Sequence, residues 1–442
     1  MAIIKPFKGF LYNKKFVKNI GDVTAPPYDV ISTKERNEFY RRHSFNITRL
    51  TLGKEYKSDN NKINRYVRSK RLFEKMQKER VILQDKKHSF YYYTQGYSLP
   101  DGEKLEKKGF LALLKIADFD EGIVFRHERI LSEPFRDRVN LIKECSANFS
   151  PIFMLYPDKN NKVMGLFDSF IKGRAHIDFT DKDDIRHRLW KVDDEKLISD
   201  IEKLMKRKIL IIADGHHRYG ASMKFRNSMR KKAGKRAQES PYDYTMVYFT
   251  SMEDKGLSIL PIHRLVYDIK NFNPEAILKE LSRFFIVEQI KFKKGCLDKT
   301  LFELKDLIFR GKKDIFPLYF RSTDRFYILK PIKDKIKESL IKSGVSPEMA
   351  NLNVIVLHRF IFEKILGITK SSQDKQRNII YVKGNEDLNS VIKRRDYQAA
   401  FLLNPISSVD VYKIVKKAEI LPQKTTFFYP KLISGFVINK MD

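Results

Sequence analysis

The sequence stretch KILIIADGHHRYGAS places an acid, a glycine, two histidines and an arginine directly after an apolar run. The run KILIIA is short and rich in β-branched residues, which is typical of a buried central strand. Asp214 and Gly215 fit a tight turn after that strand. The helical pattern that follows places His216, His217 and Arg218 in the first turn of a helix. Free N–H groups and the positive end of the helix dipole make such a turn a phosphate site, where Gly215 lets the ligand approach and Arg218 pairs with its oxygens.

Each part of this stretch also has a simpler interpretation. Asp214 could cap the helix by accepting a backbone hydrogen bond. His216 and His217 are adjacent and point in different directions, so they are poor joint ligands for one metal ion. The sequence therefore predicts no metal site built from protein ligands alone, and it leaves open a Mg²⁺ ion held between Asp214 and phosphate.

A second cluster of charged residues, RHERILSEPFRDR, contains four arginines, one histidine, two glutamates and one aspartate. Such a run is often a salt-bridged surface helix. It could instead supply a general base, Glu128 or His127, together with arginines that neutralise phosphate. In that interpretation Arg136, Asp137 and Arg138 belong to the phosphate site. Composition alone does not separate the two interpretations.

Two pairs of residues are further candidates for the wall of a pocket. Tyr28 and Asp29 follow the prolines of APPYDV, which exclude a regular helix and predict a stiff, extended segment. They could line the site, or Asp29 could only stabilise the turn. His263 and Arg264 follow the run LSILPI and could reach the pocket from a strand end, or simply end the strand.

The segment KTTFFYPK joins hydroxyls and aromatic rings to Lys424 and Lys431. It could fold back over a ligand, although packing of its aromatic rings against the core is the simpler interpretation. His358 lies on the apolar face of a predicted helix, and we predict a buried core or boundary histidine there rather than a ligand.

The composition is that of a folded chain with a large excess of basic charge. Of its 442 residues, 42% are hydrophobic, and 87 Lys and Arg against 55 Asp and Glu give a formal net charge of +32. This charge is spread along the chain without an RNP, zinc-finger or helix-turn-helix signature, so nucleic acid is a less favoured partner. The two cysteines, Cys145 and Cys296, are far apart, which excludes a disulfide framework and a cysteine-built zinc site.

The order of strand-like and helix-like segments is irregular, which predicts an α+β fold with a mixed sheet and several layers. We predict a region over 1–270 that contains the phosphate-binding core, and a C-terminal α/β lobe over 271–442 that packs back on it. No apolar run approaches the roughly 20 residues of a membrane helix. The N-terminal residues lack a signal-peptide pattern, and we expect a cytoplasmic protein with no membrane partner.

Several sequence blocks occur in the order of the signature blocks of the bacterial and archaeal domain of unknown function 1015 family, which the chain resembles from Lys5 to Asn439. The blocks are APPYDVIS, HERILSEPFRDR, ANFSPIFMLY, IADGHHRY, GLSILPIHRL, AAFLLNP and KTTFFYPKLISGFVIN. Together these ordered blocks are far more specific than any one of them.

In that family the DGHHR block resembles the phosphate-binding motif of the ParB and sulfiredoxin superfamily, and especially that of free-serine kinases. The resemblance implies a ParB/sulfiredoxin-like core with additional α/β lobes. It implies that the turn and helix start hold the phosphates of ATP or ADP, while a glutamate activates an acceptor hydroxyl. It also implies a small-molecule substrate, and serine or phosphoserine is favoured because family members tend to be encoded near enzymes of phosphoserine synthesis.

The sequence departs from the family pattern at informative positions. Ile130 stands where the family has a threonine, and Phe135 stands where it has a lysine. Gln423 replaces a common proline, and Thr425 replaces a common serine. If the missing hydroxyl and amine touch phosphate in the family, the protein is slower, altered in substrate or catalytically lapsed.

These observations lead to two main functional hypotheses. The first is a nucleotide-dependent phosphotransferase or phosphohydrolase, in which Glu128 is the general base and His127 is its alternative. In this hypothesis Asp214 orients a metal ion or a histidine, and His216 and His217 are further catalytic candidates. The second is a nucleotide-binding regulatory protein that has lost turnover and uses its basic surface on nucleic acid. A structural or assembly role is a weaker third. The sequence does not determine the direction of phosphate transfer, the nucleotide or the oligomeric state.

Overall fold

Apolar and aromatic runs along the chain form the strands of two large sheets. The described residues also form three two-stranded sheets, Phe10–Tyr12 with Ile82–Gln84, Ala147–Asn148 with Asn439–Lys440, and Ser258–Leu260 with Phe427–Tyr429. A computed structural model describes residues 1–99, 102–234, 238–291, 297–310, 314–323, 325–375, 377–384, 386, 388–393 and 396–441. The chain divides into two compact units, the first formed by Met1–Ser258 with Pro430–Asp442 and the second by Ile259–Tyr429. The predicted α+β class with a mixed sheet and several layers is confirmed.

The predicted division after residue 270 differs from the division in the structure, which follows Ser258. The strand Ile262–Val266 pairs on both sides with strands of the second unit, so the sequence LPIHRLVY belongs to that unit. The segment that begins at Pro430 belongs to the first unit rather than to a C-terminal lobe. The second unit is therefore an insertion in the sequence of the first.

The strands of the first unit that precede the insertion are rich in aromatic and β-branched residues, as expected for buried sheet positions. Their bounds are β1 (Ile4–Lys5), β2 (Phe10–Tyr12), β3 (Ile82–Gln84), β4 (Phe90–Ser98), β5 (Lys104–Lys115), β6 (Val124–Phe125), β7 (Ala147–Asn148), β8 (Ile152–Tyr156), β9 (Ile177–Thr180), β10 (Arg186–Val192), β11 (Leu210–Asp214) and β12 (Tyr244–Ser251).

The α-helices of the first unit have the bounds α1 (Thr33–Arg42), α2 (Thr48–Thr51), α3 (Arg65–Lys78), α4 (Ser132–Cys145), α5 (Lys162–Phe170), α6 (Glu195–Met205) and α7 (His216–Ala233). Single turns of 3-10 helix lie at Ile20–Asp22, Tyr28–Val30, Phe119–Glu121 and Pro241–Asp243. The strand and helix predicted on either side of Gly215 are thus confirmed as β11 and α7.

Local side-chain signals define where some of these elements begin. The Ser32 hydroxyl accepts a hydrogen bond from the Glu35 N–H, and the Glu35 carboxylate accepts one from the Ser32 N–H, so the start of α1 carries a full capping box. The prediction of an extended segment at Tyr28 and Asp29 is wrong, because these residues lie in a turn of 3-10 helix. Pro27 precedes that turn, where its missing N–H is not needed.

Nine strands of the described residues form one mixed sheet in the order β6-β11-β8-β12-β5-β4-β10-β9, with β1 paired to β5. β6 and β11 are parallel, β8 and β12 are parallel, and β11 and β8 are antiparallel. The carboxyl ends of β6 and β11 therefore meet the amino ends of β8 and β12 at one edge of the sheet. This edge positions the candidate site.

A large apolar core of the first unit joins the sheet to helices α5 and α6. Phe110, Met154 and Ile212 contribute to it from the sheet, and Phe167 and Ile201 contribute from the helices. Each of these side chains is fully buried. Burial of a side chain of this size contributes about 1.5–3 kcal/mol, so this core fixes the strand positions on which the site depends.

The second unit has strands β13 (Ser258–Leu260), which begins at the division, β14 (Ile262–Val266), β15 (Phe285–Lys291), β16 (Phe316–Phe320), β17 (Arg325–Pro331), β18 (Ile379–Lys383), β19 (Ala399–Phe401) and β20 (Phe427–Tyr429). Its helices are α8 (Pro274–Leu281), α9 (Leu297–Arg310), α10 (Lys333–Lys342), α11 (Asn353–Ile355), α12 (Lys370–Asp374), α13 (Leu388–Ile392) and α14 (Ser408–Lys416). A π-helix, Val356–Ile365, continues directly from α11, and Met349–Asn351 forms a turn of 3-10 helix.

The sheet of the second unit is antiparallel throughout its described pairs, in the order β15-β17-β16-β19-β14-β18. Successive residues of β14 point to opposite faces. Val266 belongs to an apolar cluster with Phe360 of the π-helix, whereas Leu265 belongs to a cluster with Leu301 of α9. Both faces of this sheet are therefore covered by helices.

The segment after Pro430 is tied to the first unit by backbone hydrogen bonds. Phe10 and Ile438 exchange two of them, at 2.8 and 3.0 Å, and Met441 donates one to Ser146 at 2.8 Å. A last strand, β21 (Asn439–Lys440), pairs antiparallel with β7. The pairing with β7 places the segment beside residues that come just before β8 in sequence. The amino end of β8 lies at the sheet edge that positions the candidate site.

The returning segment is expected to stabilise the first unit strongly. Ile438→Ala should lower the free energy of unfolding by about 2–5 kcal/mol, because Ile438 is fully buried. Ile63→Ala is the matched control on an exposed isoleucine of the same unit, and it should change that free energy by less than about 0.5 kcal/mol. Urea denaturation measures both, and equal effects of the two substitutions would contradict the packing described for the segment.

Candidate functional site

The candidate site begins where two parallel strands end side by side. Leu210 and Ile211 of β11 pair with Val124 and Phe125 of β6. The residues that follow these strands, the sequence RHE after β6 and the sequence DGHHR at the end of β11, therefore share one edge of the sheet. The two segments are far apart in sequence, and the fold brings them together. The predicted phosphate site requires residues from both of them.

The turn between β11 and α7 depends on a glycine. Gly215 has a φ of 97°, which L side chains rarely adopt. A Cβ atom on Gly215 would lie 2.9 Å from the Nε atom of Arg218, so the guanidinium folds back directly over the glycine. The first N–H groups of α7 have no acceptor within the helix. The turn therefore presents backbone donors and a guanidinium on the same side of the sheet edge.

Asp214 is an anion shared by two cations. Its carboxylate pairs with the Arg218 guanidinium and with the Lys431 ammonium, the second across 217 positions of sequence. Arg218 also donates to the carbonyl of Pro151, which precedes β8. Burial alone would raise the pKa of Asp214, but Lys431 and Arg218 hold it below its usual range, so the carboxylate is ionised. Asp214 makes this ion cluster and does not cap α7, which begins without a side-chain cap.

The two histidines after Gly215 have different partners. His217 accepts a hydrogen bond at Nε2 from the Leu131 N–H at 2.9 Å, which fixes the residue just before α4. His216 is buried, and its ring meets the His127 ring edge to face with centroids 4.7 Å apart. The Nε2 atom of His216 has no hydrogen-bond partner within the described part of the chain. The pair therefore does not face one common ligand.

Burial keeps the inner histidine pair neutral. It lowers the pKa of His127 to about 4, although a hydrogen bond to the backbone of Ile212 acts in the opposite direction. Burial, reinforced by the neighbouring His127, holds the pKa of His216 well below its ordinary value. At neutral pH both rings are therefore uncharged, and His127 is fully enclosed. Glu128 follows it and is only partly buried.

A second ion cluster stands at the start of α4. The carboxylate of Asp137 accepts from the Tyr66 hydroxyl at 2.8 Å and pairs with Arg65 and Arg138. Arg138 also donates to the Thr51 carbonyl at 2.8 Å. Asp137 and Arg138, at the end of the charged run, are therefore salt-bridged, but Arg138 is buried, so this part of the run is not an exposed surface helix.

Tyr28 lies against this second cluster. The guanidinium of Arg138 lies over its ring, 3.8 Å from the centroid. Burial raises the pKa of Tyr28 to about 12, so the phenol is neutral. Asp29 and Arg136 are exposed, and the structure does not bring either of them into the clusters.

A pocket of about 420 Å³, counted with its opening to solvent, lies between the two ion clusters. Its polar wall includes Arg138 and Arg218 from the clusters and Asn148, Ser222 and Thr245 from neighbouring elements. The Ser222 and Thr245 hydroxyls lie 3.1 Å apart and share a hydrogen bond. A pocket of this size with two guanidinium groups on its wall suits a small anionic ligand.

Lys107 is a buried cation near the site that the sequence pattern did not reveal. It is fully enclosed, donates to the Pro430 carbonyl at 2.5 Å, and has its Nζ atom 4.8 Å from the centre of the Phe153 ring. Burial lowers its pKa to about 7, and the charge of Lys431 acts in the same direction. Gln95 donates to the Lys431 carbonyl at 3.0 Å. Lys107 lies in the charged first half of β5, KLEKK, where the sequence gives no sign that one ammonium group is enclosed, so only the tertiary structure identifies it.

Two of the four departures from the family pattern, Ile130 and Phe135, meet at one position on α7. A Cβ atom on Gly220 would lie 2.9 Å from the Cδ1 atom of Ile130 and 3.3 Å from the Phe135 ring. Phe135 also packs against the apolar cluster formed by α4 and α7. Ile130 and Phe135 thus form a joint apolar contact with the helix that carries Arg218.

The remaining predicted residues belong to the second unit. His263 and Arg264 lie within β14 and do not end it. His263 accepts at Nδ1 from the Leu403 N–H at 3.2 Å, and Arg264 donates to the Lys424 carbonyl at 2.8 Å. The Lys424 side chain is exposed. His358 is buried, as predicted, and its ring hydrogen-bonds with the side chains of Arg264 and Gln373.

The described residues contain no group of three or more His, Cys, Asp or Glu side chains that could hold a metal ion. In the same part of the chain, no helix is long and apolar enough to cross a membrane. Asp214 is the residue expected to hold a metal ion through phosphate, but both of its oxygens face cations. The arrangement does not fit Asp214 as a metal ligand.

Comparison with known proteins gives one clear match. The family model described as "Protein of unknown function (DUF1015)" matches residues 4–395. No curated protein matches the chain.

Solved structures show a distant likeness. A free serine kinase in complex with AMP is 13% identical with a TM-score of 0.31, and the match covers 69% of this chain and 83% of that chain. SbnI with a C-terminal truncation, from Staphylococcus aureus, is 9% identical with a TM-score of 0.33 and coverage of 73% and 85%. A conserved hypothetical protein from Pyrococcus furiosus is 12% identical with a TM-score of 0.31 and coverage of 70% and 88%.

Acid is expected to destabilise the first unit through His127. Its pKa in the fold is about 4, below the ordinary 6.5, so the unfolded chain binds the proton first between these two values. The stability contributed by the neutral ring is complete above pH 6.5 and is lost as the pH falls toward 4, by up to about 3 kcal/mol.

The substitution His127→Phe removes this titration and keeps an aromatic ring in the same space. Urea denaturation at a series of pH values between 7 and 4 should give a flatter dependence for the variant than for the wild type. Parallel curves for the two proteins would contradict a buried, neutral His127.

Proposed function

The chain belongs to the DUF1015 family, and from the geometry of its site we propose that it is a nucleotide-dependent phosphotransferase or phosphohydrolase. We propose a small hydroxylated metabolite as its substrate, with serine or phosphoserine favoured. The observation that carries the proposal is the ion cluster in which Asp214 holds Arg218 and Lys431 at the entry to α7. This cluster sets two cations beside a turn whose backbone donors are open to an anion.

The phosphates of ATP or ADP are assigned to the turn. The first N–H groups of α7 would donate to them, and Gly215 leaves room for the Arg218 guanidinium to lie over the turn because it carries no side chain. Arg138 and Arg218 would neutralise their charge from the wall of the adjoining pocket. When bound, the nucleotide supplies or accepts the phosphoryl group.

Glu128 is assigned as the general base that takes the proton from the acceptor hydroxyl. It follows β6 at the same sheet edge as Asp214 and is partly exposed. His127 was its alternative, but it is fully enclosed, lies against His216 and is neutral. An enclosed ring does not reach a substrate hydroxyl, so the geometry favours Glu128.

Asp214 is assigned as a positioning residue and not as a metal ligand. Its two oxygens hold the cationic groups of Arg218 and Lys431 in place before any ligand binds, which removes the need to order them during the reaction. The suspected Mg²⁺ therefore has no place on Asp214, and no step is assigned to it.

One observation favours a second candidate function. Ile130 and Phe135, which stand for a threonine and a lysine in the family pattern, form an apolar contact at Gly220 instead of offering donors to phosphate. A protein with this change could retain nucleotide binding and lack turnover. In that case it would act as a nucleotide-responsive regulator, with its excess of basic residues directed to nucleic acid.

The enzymatic proposal is tested with two substitutions at the site. Glu128→Gln should lower turnover at least about 100-fold while nucleotide affinity changes little, because only the base is lost. Arg218→Lys keeps a cation but loses the guanidinium fork, and it should weaken nucleotide binding about tenfold. Turnover is measured as the amount of product formed, both for transfer from ATP or ADP to serine and for the reverse reaction with phosphoserine. Nucleotide affinity is measured by calorimetry with and without Mg²⁺.

Matched controls exist on the same unit. Glu133→Gln and Arg71→Lys change exposed residues of the same types and should leave both measurements within a factor of about two. Nucleotide affinity that is unchanged in Arg218→Lys would overturn the phosphate assignment. Turnover that is unchanged in Glu128→Gln would overturn the assignment of the base.

The regulatory alternative is tested by restoring the family residues. If the wild type binds nucleotide without turnover, the double substitution Ile130→Thr with Phe135→Lys should produce measurable transfer, because a hydroxyl and an amine return near α7. Binding of the wild type to random duplex DNA is measured at two salt concentrations in parallel. Binding that disappears at moderate salt would mark the charge as nonspecific and count against a regulatory role on nucleic acid.

A further inference from the structure

A second pocket with a buried charge lies entirely within the second unit. Arg264 on β14 is 1% exposed, and no carboxylate of the described residues lies within ion-pairing distance of its guanidinium. Moving a charge out of water without a counter-ion is costly, and buried charges are normally paired. The residues of the candidate site in the first unit do not account for this buried, unpaired charge.

The partners of Arg264 are all neutral. Its Nε atom donates to His358 Nε2 at 3.2 Å, and its other nitrogens donate to the carbonyls of Ile262 and Lys424. His358 uses its other ring nitrogen with the Gln373 side chain at 2.6 Å, which fits a neutral ring that donates from Nδ1 and accepts at Nε2. Three of the five N–H groups of the guanidinium are used in this way. The guanidinium also lies over the Tyr381 ring, 5.4 Å from its centroid. The charge is thus held in a fixed orientation by neutral groups, without a carboxylate.

Arg264 lines a pocket of about 560 Å³, counted with its opening to solvent. Asn404 lies on the same wall, and its Oδ1 atom is buried without a hydrogen-bond partner within the described part of the chain. Asp410 also lines the pocket, with its Oδ2 atom accepting from the Ser407 hydroxyl at 2.6 Å. Asp314 lines it as well and is paired with Lys333 at 2.6 Å.

The charges of this pocket are of both signs. A simple anion would meet Arg264 but also the carboxylates of Asp410 and Asp314, whereas a simple cation would meet the buried guanidinium. A molecule with one carboxylate and one ammonium group can pair with the guanidinium and with a carboxylate of the pocket at the same time. The unpartnered Oδ1 atom of Asn404 adds an acceptor for the ammonium group.

We propose that this pocket binds a small zwitterion of the α-amino-acid class, with its carboxylate on Arg264 and its ammonium group at Asp410 and Asn404. The carboxylate completes the guanidinium fork and supplies the missing counter-ion. This site is separate from the proposed phosphotransfer site, which is built only from residues of the first unit. Neither proposal depends on the other.

The experiment measures binding of each of the twenty standard L-amino acids to the full chain, first by thermal shift and then by calorimetry for those that stabilise it. We expect at least one to bind. Arg264→Met and Asp410→Asn should each weaken that binding about tenfold or more, because each removes one charged contact. Arg283→Met changes an exposed arginine of the same unit and should leave the affinity unchanged.

Two substitutions at the pocket are used so that the test still gives a result if one variant does not fold. Asp410→Asn keeps an acceptor for the Ser407 hydroxyl and removes only the charge, so it decides the outcome if Arg264→Met does not fold. Acetate and ethanolamine serve as probes with one charged group each. Absence of binding by every amino acid, binding that survives both substitutions, or equally strong binding of acetate would each overturn the proposal.

Arg218→Lys separates this inference from the proposed function. It should weaken nucleotide binding in the first unit and leave amino-acid binding through Arg264 unchanged. If an amino acid loses affinity in Arg218→Lys but not in Arg264→Met, it binds at the first site and the zwitterion pocket is rejected. Loss of nucleotide binding in Arg264→Met would reject the separation of the two sites.

Discussion

The ion cluster of Asp214 with Arg218 and Lys431 is the interaction on which the candidate site depends. A buried carboxylate without these partners would be protonated or would destabilise the fold. With them it stays ionised and fixes two cationic groups at one sheet edge. Arg218 then extends the cluster to the Pro151 carbonyl, so β8, β11 and α7 are held in one arrangement. The orientation of the turn at Gly215 follows from this arrangement.

The histidines take a supporting part in this arrangement. His217 orders the residue before α4, and α4 carries the second ion cluster with Asp137 and Arg138. His216 and His127 form an enclosed neutral pair beneath the turn. The sequence alone draws attention to the histidines because they are rare and adjacent. In the structure His216 and His127 are buried, whereas the charged residues Asp214, Arg218 and Glu128 are only partly buried.

The sequence predicted the parts of the site that local pattern determines. KILIIAD has the composition of a buried strand, Gly215 has the freedom that the turn requires, and the following residues have a helical pattern, so β11 and α7 were predicted correctly. The capping box of α1 was predictable in the same way. By contrast, the 3-10 turn at Tyr28 was missed, because prolines exclude an α-helix but do not exclude a single tight turn after them.

Contacts between distant segments could not be predicted from local pattern. Lys107 lies in a strand with many charged neighbours, and nothing in that alternation shows that its ammonium group is enclosed. The pairing of Lys431 with Asp214 depends on a segment that returns after the second unit. The boundary between the two units also depends on such contacts, because LPIHRLVY has the pattern of a strand in either sheet and only its pairing partners decide between them.

The insertion of the second unit before Lys431 has a consequence for the way the protein is made. During synthesis Asp214 precedes Lys431 by 217 positions, and Arg218 precedes it by 213. The whole second unit is synthesised in between. During that interval the first sheet can form, but the carboxylate at its edge has only one of its two cations. The site is therefore completed late in synthesis, after the inserted unit, and a chain interrupted within that unit has the histidine turn without a finished site.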